Sequence, residues 1–168
     1  MFTNIKSQGQ TNVGKTIVWV VRHAEMDSKI VNNPNPNLSK EGKRRSAALA
    51  DYFKMIRIDG IFTTSSTVTQ KTAEHLFVKY KSLPILYDGK DLPSLVNKIT
   101  NEYKGKTVLV VTNLTNMLAL VDAFGADRPI PKLRENDYNF LFKINILPND
   151  DVYTEMDQYE AGHHDGEE

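Results

Sequence analysis

The sequence predicts a three-layer α/β/α sandwich around a mostly parallel central sheet. Three observations lead there. Strand-like and helix-like segments alternate along the chain. Two runs, "IVWVV" (17–21) and "TVLVVT" (107–112), are apolar and rich in β-branched residues, the pattern of strands covered on both faces. The 168 residues suffice for one buried core and contain neither an internal repeat nor a linker that would split it.

Taken in order, the first strand is 17–21. "NNPNPN" (32–37) is a turn-rich loop, because proline fixes φ and asparagine accepts turn conformations. Residues 38–56, "LSKEGKRRSAALADYFKMI", set Ala47, Leu49, Ala50 and Phe53 at helical spacing. "GIFTT" (60–64) is a second strand, "VTQKTAEHLFVKY" (68–80) a second helix and "PILYD" (84–88) a third strand. The helix predicted over 92–103 puts Leu95, Val96 and Ile99 on one face. After the strand at 107–112 comes a helix over 116–124, stopped by Gly125. "YNFLFKINI" (138–146) alternates as a late strand, and "VYTEM" (152–156) is the last. Residues 1–15 read as a flexible polar arm, 16–156 as a single domain, and 157–168, "DQYEAGHHDGEE", as an acidic disordered tail.

Charge and composition exclude several classes. Lysine plus arginine and aspartate plus glutamate both number 21, so no net field steers the chain to nucleic acid or acidic lipid. Without cysteine there is neither a disulfide framework nor a thiolate metal site. No apolar stretch approaches a membrane span, and the N-terminal residues lack the apolar core of a signal peptide. The expectation is a cytoplasmic protein as written, although an exported protein whose signal had been removed would read the same. No metal and no cofactor are assigned; His163 and His164 lie in the acidic tail, and His75 lies on a helix.

Two phosphate-handling signatures meet in "GQTNVGKTIVWVVRHAE" (9–25). Gly9, Gly14, Lys15 and Thr16 match a nucleotide-binding P-loop. That loop needs a strand before it and a helix after it, so that a helix N-terminus faces the phosphates. Here a polar arm precedes and a strand follows, so the match is discarded. Arg22 and His23, by contrast, end a strand, and in an α/β sheet ligands bind beyond the carboxyl ends of the strands. A histidine there has the chemistry to attack phosphorus, and an arginine can clamp phosphate oxygens in a fork.

Beyond this pair, the chain resembles the histidine phosphatase superfamily, and within it the short branch that carries "RHAE". The resemblance runs from about residue 17 to 146. It is carried by "VVRHAE" (20–25), "NLSKEGKRRSAALADYF" (37–53), "IFTTSSTVTQKTAE" (61–74), "YDGKDLPSLVNKI" (87–99), "GKTVLVVTNLTNMLALVDAFG" (105–125) and "ENDYNFLFKI" (135–144). It implies the phosphoglycerate mutase-like fold and a pocket with four phosphate-binding groups: the Arg-His pair, a second arginine and a second histidine. Arg22 and His23 match the pair, with His23 as the candidate nucleophile. Val68 stands at the second arginine, Asn113 at the second histidine, and Thr112 where a small glycine precedes it. Met26 replaces a lysine that often follows "RHAE". Lys71 and Lys15 are the nearest substitutes for a lost cation, but neither is well placed. Arg22, His23 and Asn113 remain as phosphate-binding candidates.

Phosphoryl transfer depends on positioning and on stabilising equatorial charge, and one missing donor costs roughly 10²–10³ in rate. It also needs an acid to protonate the leaving oxygen, for which Glu25, Asp88 and Asp91 are candidates. The residues therefore predict a degenerate phosphatase that binds phosphate, or a phosphorylated small molecule or protein, with little or no turnover. The alternatives are a weakly active phosphomonoesterase working through a phosphohistidine at His23, and a non-catalytic scaffold.

Overall fold

The structure, a computed structural model, describes residues 14–160. Its elements are β1 (Thr16–Arg22), α1 (Lys40–Tyr52), β2 (Gly60–Thr63), α2 (Thr67–Thr72), α3 (Glu74–Tyr80), β3 (Ile85–Leu86), α4 (Leu92–Glu102), β4 (Thr107–Thr112), α5 (Leu114–Ala123), β5 (Phe140–Ile146) and β6 (Val152–Gln158). Six strands form one sheet in the order β3-β2-β4-β1-β5-β6. The β1–β4, β2–β4 and β2–β3 pairings are parallel, while β5 joins β1, and β6 joins β5, in antiparallel fashion.

The two-residue period of a strand sends alternate side chains to opposite faces. Val18, Val20, Val108 and Val110 meet Leu95 and Ile99 of α4 and Met117, Leu120 and Val121 of α5. Trp19, Val21, Leu109 and Val111 meet Leu49 of α1, Phe53 just beyond it, and Ala73 and Leu76 at α3. Helices therefore cover both faces, and the three-layer α/β/α sandwich read from the sequence is the architecture observed.

Several boundaries differ from the sequence reading for local reasons. The helix expected over 68–80 is divided at Ala73, whose φ and ψ are −96° and 5°. Just before the break, the Thr72 hydroxyl donates back to the Val68 carbonyl at 2.7 Å, a bond that bends helices. The same oxygen accepts the Ala24 N–H at 2.8 Å, tying α2 to the turn after β1. Helix α5 starts at Leu114 because Asn113 caps it: Oδ1 accepts the Asn116 N–H at 2.8 Å. Similarly, Ser39 caps α1 by accepting the Gly42 N–H at 3.0 Å. Strand β6 runs to Gln158 and Tyr159 is only 2 % exposed, so the sheet extends past residue 157, the expected start of the tail, and Tyr159 joins the core. Residues 1–13 and 161–168, with Gly9, His163 and His164, lie outside the described residues. Among the described residues no helix is long and apolar enough to cross a membrane.

One close approach fixes how α1 enters. An ideal Cβ built on Gly42 would lie 2.2 Å from the Glu25 carbonyl oxygen, the atom that also accepts the Ser39 N–H at 2.9 Å. In an open helix, Gly→Ala stabilises by about 1 kcal/mol. Here backbone blocks the methyl group, and Gly42→Ala should instead cost at least about 2 kcal/mol, read as a lower denaturant midpoint.

Candidate functional site

The β1–β4 register aligns Arg22 with Thr112, and the His23 N–H donates to the Thr112 carbonyl at 2.8 Å. Parallel pairing therefore brings Arg22, His23, Thr112 and Asn113 to one carboxyl edge. Val68 joins them from α2. It is buried in a small apolar cluster with Ala24 and Leu38, next to the Arg22-His23 turn.

His23 is 8 % exposed, and its Nδ1 lies 2.9 Å from the Ala24 carbonyl oxygen. A carbonyl only accepts, so this bond assigns the proton of the neutral ring to Nδ1 and leaves a lone pair on Nε2. Burial holds the His23 pKa below its ordinary value; the Ala24 carbonyl opposes the shift, the charge of Arg22 adds to it, and Glu25 opposes it weakly.

Arg22 is 5 % exposed. Its Nη1 donates to the carbonyls of Glu135 at 2.6 Å and Asp137 at 3.3 Å, and its guanidinium carbon stands 3.8 Å from the Tyr138 ring centroid. Its Nε is buried with no hydrogen-bond partner among the described residues.

Asn113 is exposed. Because Oδ1 is committed to capping α5, the two Nδ2 hydrogens are the free end of the amide. It borders an open depression of about 750 Å³ lined also by Thr64, Ser65, Tyr87, Asp88 and Lys90. Arg22, His23 and Val68 are not among the lining residues, so Asn113 is the point where the His23 edge and the depression meet. Burial pushes the Tyr87 hydroxyl up to about 12, and it donates to the Val111 carbonyl at 2.9 Å. At the back, the hydroxyls of Thr64, Ser66 and Thr69 lie 2.9 to 3.0 Å from one another.

The three candidate acids are differently placed. Arg45, 6 % exposed, donates from Nε to both Glu25 oxygens at 2.8 Å and reaches Oε1 from Nη2 at 2.7 Å. Asp91 caps α4, accepting the Ser94 hydroxyl at 2.6 Å and its N–H at 3.2 Å; those bonds hold its carboxyl below the usual range. Asp88 is exposed at the depression, its Oδ1 accepting the Lys90 N–H at 2.9 Å. Of the remaining cations, Lys71 pairs with Glu74 at 2.6 Å and Lys15 donates to the Tyr153 hydroxyl at 3.0 Å. His75 is exposed on α3, and Met26 is 44 % exposed in a bridge with Leu38. Among the described residues no cluster of three histidines or acids suits a metal ion.

Sequence reading missed Arg45, Tyr138 and the carbonyls of Glu135 and Asp137. Arg45 had a faint signal, as one of four cations in the helix that follows Glu25. Carbonyl contacts leave no mark on residue type.

Residues 18–89 match the family model of the histidine phosphatase superfamily (branch 1). Solved structures share its fold. The protein histidine phosphatase SixA, complexed with tungstate, matches with a TM-score of 0.68 at 16 % identity, over 84 % of this chain and 96 % of that one. YhfR of Bacillus stearothermophilus gives 0.65 at 17 % identity, over 88 % and 98 %. A phosphoglycerate mutase of Bacillus anthracis gives 0.65 at 13 %, over 89 % and 94 %. No curated protein sequence is significantly similar to the chain.

Two predictions concern stability. Glu25→Gln removes the nearer counter-charge of the buried Arg45, leaving the Glu41 carboxylate at 3.9 Å, and should cost about 3 kcal/mol in chemical denaturation. The lowered pKa of His23 means that, below its ordinary value of about 6.5, the unfolded chain binds a proton the folded chain refuses. Stability then falls as pH drops from about 6.5 to the folded-state pKa. Denaturant midpoints measured across that window should fall less steeply in His23→Gln.

Proposed function

We propose that this protein binds phosphate, or the phosphoryl group of a small molecule or protein, at Arg22 and His23, with little or no turnover. One observation carries the reading: the two flanking positions supply no positive charge. Val68 is packed into an apolar cluster with Ala24 and Leu38, and Asn113 is a neutral amide with its oxygen engaged in a helix cap. A dianion bound there meets Arg22, the His23 ring and the Asn113 Nδ2 hydrogens. The two absent cations each correspond to roughly 10²–10³ in rate, and losses within one pocket need not multiply. The SixA structure was solved with tungstate, a tetrahedral oxyanion, in the same fold, which supports oxyanion binding here.

A second reading, a weak phosphomonoesterase, is favoured by the unprotonated Nε2 of His23. In that reaction the Nε2 lone pair attacks phosphorus and the ester P–O bond breaks. Asp88, the candidate acid that has neither an ion pair nor a helix cap among the described residues, protonates the leaving oxygen. Water then attacks phosphorus, the P–N bond breaks, and the Asp88 carboxylate takes the water's proton, releasing phosphate and restoring both Asp88 and the neutral ring.

Calorimetry with inorganic phosphate should show weak binding that Arg22→Ala abolishes, and an aryl phosphate should turn over barely above background. Turnover that is robust and lost in His23→Ala would replace the binding reading with the phosphatase one. The triple variant Val68→Arg, Asn113→His, Thr112→Gly should raise turnover, up to roughly 10²–10³ per restored donor. It must also displace Leu38 from its cluster and sacrifice the α5 cap, worth about 1 kcal/mol. A folded triple variant with no gain and no trappable phosphohistidine would show that the missing chemistry lies elsewhere.

A further inference from the structure

A guanidinium carries five N–H donors in one plane, and an oxyanion can dock on either of two forked edges. In Arg22 one of them is closed, because Nη1 is occupied by the Glu135 and Asp137 carbonyls. The edge left is Nε with Nη2, and Nε is the buried donor that has no partner among the described residues. One planar face is covered by Tyr138, whose ring centroid is 3.8 Å from the guanidinium carbon. At that distance the ring quadrupole favours the cation and resists its tilting out of plane. Tyr138 is itself held, since its carbonyl accepts the Tyr159 hydroxyl at 3.2 Å. Next to it, the Asn139 carbonyl accepts the Tyr159 N–H at 3.0 Å, and Asn139 Nδ2 donates to the Glu160 carbonyl at 3.0 Å. A half-buried tyrosine is pinned by the residue after β6 and set over the Arg22 guanidinium, with that of Arg45 farther off, 5.8 Å from the same ring centroid.

We propose that Tyr138 is a positioning residue: together with the two carbonyls it fixes Arg22 so that an oxyanion is received on the Nε–Nη2 edge. This rests on the reading of Arg22 as an anion ligand. The tyrosine acts through its ring and not its hydroxyl, so phenylalanine substitutes and leucine, of similar bulk but without a quadrupole, does not. Lysine fails at position 22, because a single ammonium cannot stack, serve two carbonyls and present a fork.

The test uses the Arg22 Nε–H nuclear magnetic resonance signal and the affinity for inorganic phosphate. In the unmutated protein that proton should be displaced upfield by the ring current and exchange slowly. Tyr138→Phe should preserve both features, and Tyr138→Leu should remove them. The affinity for phosphate should fall about 5- to 30-fold in Tyr138→Leu and be unchanged in Tyr138→Phe. An Arg22 signal without ring-current displacement overturns the proposal using the unmutated protein alone, even if Tyr138→Leu does not fold. An equal loss of affinity in Tyr138→Phe and Tyr138→Leu overturns it too. A signal that behaves as described in a protein that binds no phosphate overturns instead the anion-binding reading of the site, leaving the stacking itself established.

Discussion

Everything at the site depends on the parallel pairing of β1 with β4. That ladder sets Arg22 beside Thr112 and carries on one bond past the strands, from the His23 N–H to the Thr112 carbonyl. A slip by one residue would turn every side chain of β1 to the other face. Val18 and Val20 would leave the α4–α5 layer, and Arg22 would point away from Tyr138. The core therefore specifies the register, and the register places the functional groups. Apolar packing far from the edge enforces angstrom-level placement of two polar residues at the edge.

Burial then alters the chemistry of what has been placed. His23, Arg22 and Arg45 are each more than nine-tenths covered, yet their surroundings treat them differently. Arg45 has a carboxylate partner in Glu25 and is neutralised in place. His23 answers burial by favouring its neutral form. Arg22 can do neither, since a guanidinium does not deprotonate in proteins and no acid pairs with it among the described residues. It takes instead two carbonyl dipoles and an aromatic face, which stabilise the charge without cancelling it. On the proposed reading, that uncancelled charge is what an anion finds.

The fold was legible because its signals are local and redundant. The unbroken apolar run at 107–112 announced β4 residue for residue, and the spacing of Leu95 and Ile99 announced the buried face of α4. Element ends were less legible where a side chain outside the apolar pattern decides them: Asn113 starts a helix two residues before the expected start, and Thr72 helps break one in the middle. At the site, Arg22 and His23 stood out as polar residues ending a strand. The three acids looked equivalent in the sequence and differ only through partners distant along the chain, such as Arg45. Tyr138 was within reach as an aromatic in a resembling block, but stacking requires a fold to be seen.

The place of Tyr159 in the chain has a consequence for the order of assembly. A polypeptide is made from its N-terminal side, so Arg22 and His23 emerge before the β4 edge that aligns them, and the segment 135–139 comes later still. Tyr159, which pins that segment, is among the last of the described residues to appear. A nascent chain can assemble most of its two hydrophobic layers from β1 to β5, still without Tyr159, while the clamp around Arg22 is open. The same residue that finishes the core beneath α1 also pins the segment around Arg22, so the arginine acquires its fixed orientation only once residue 159 has been made.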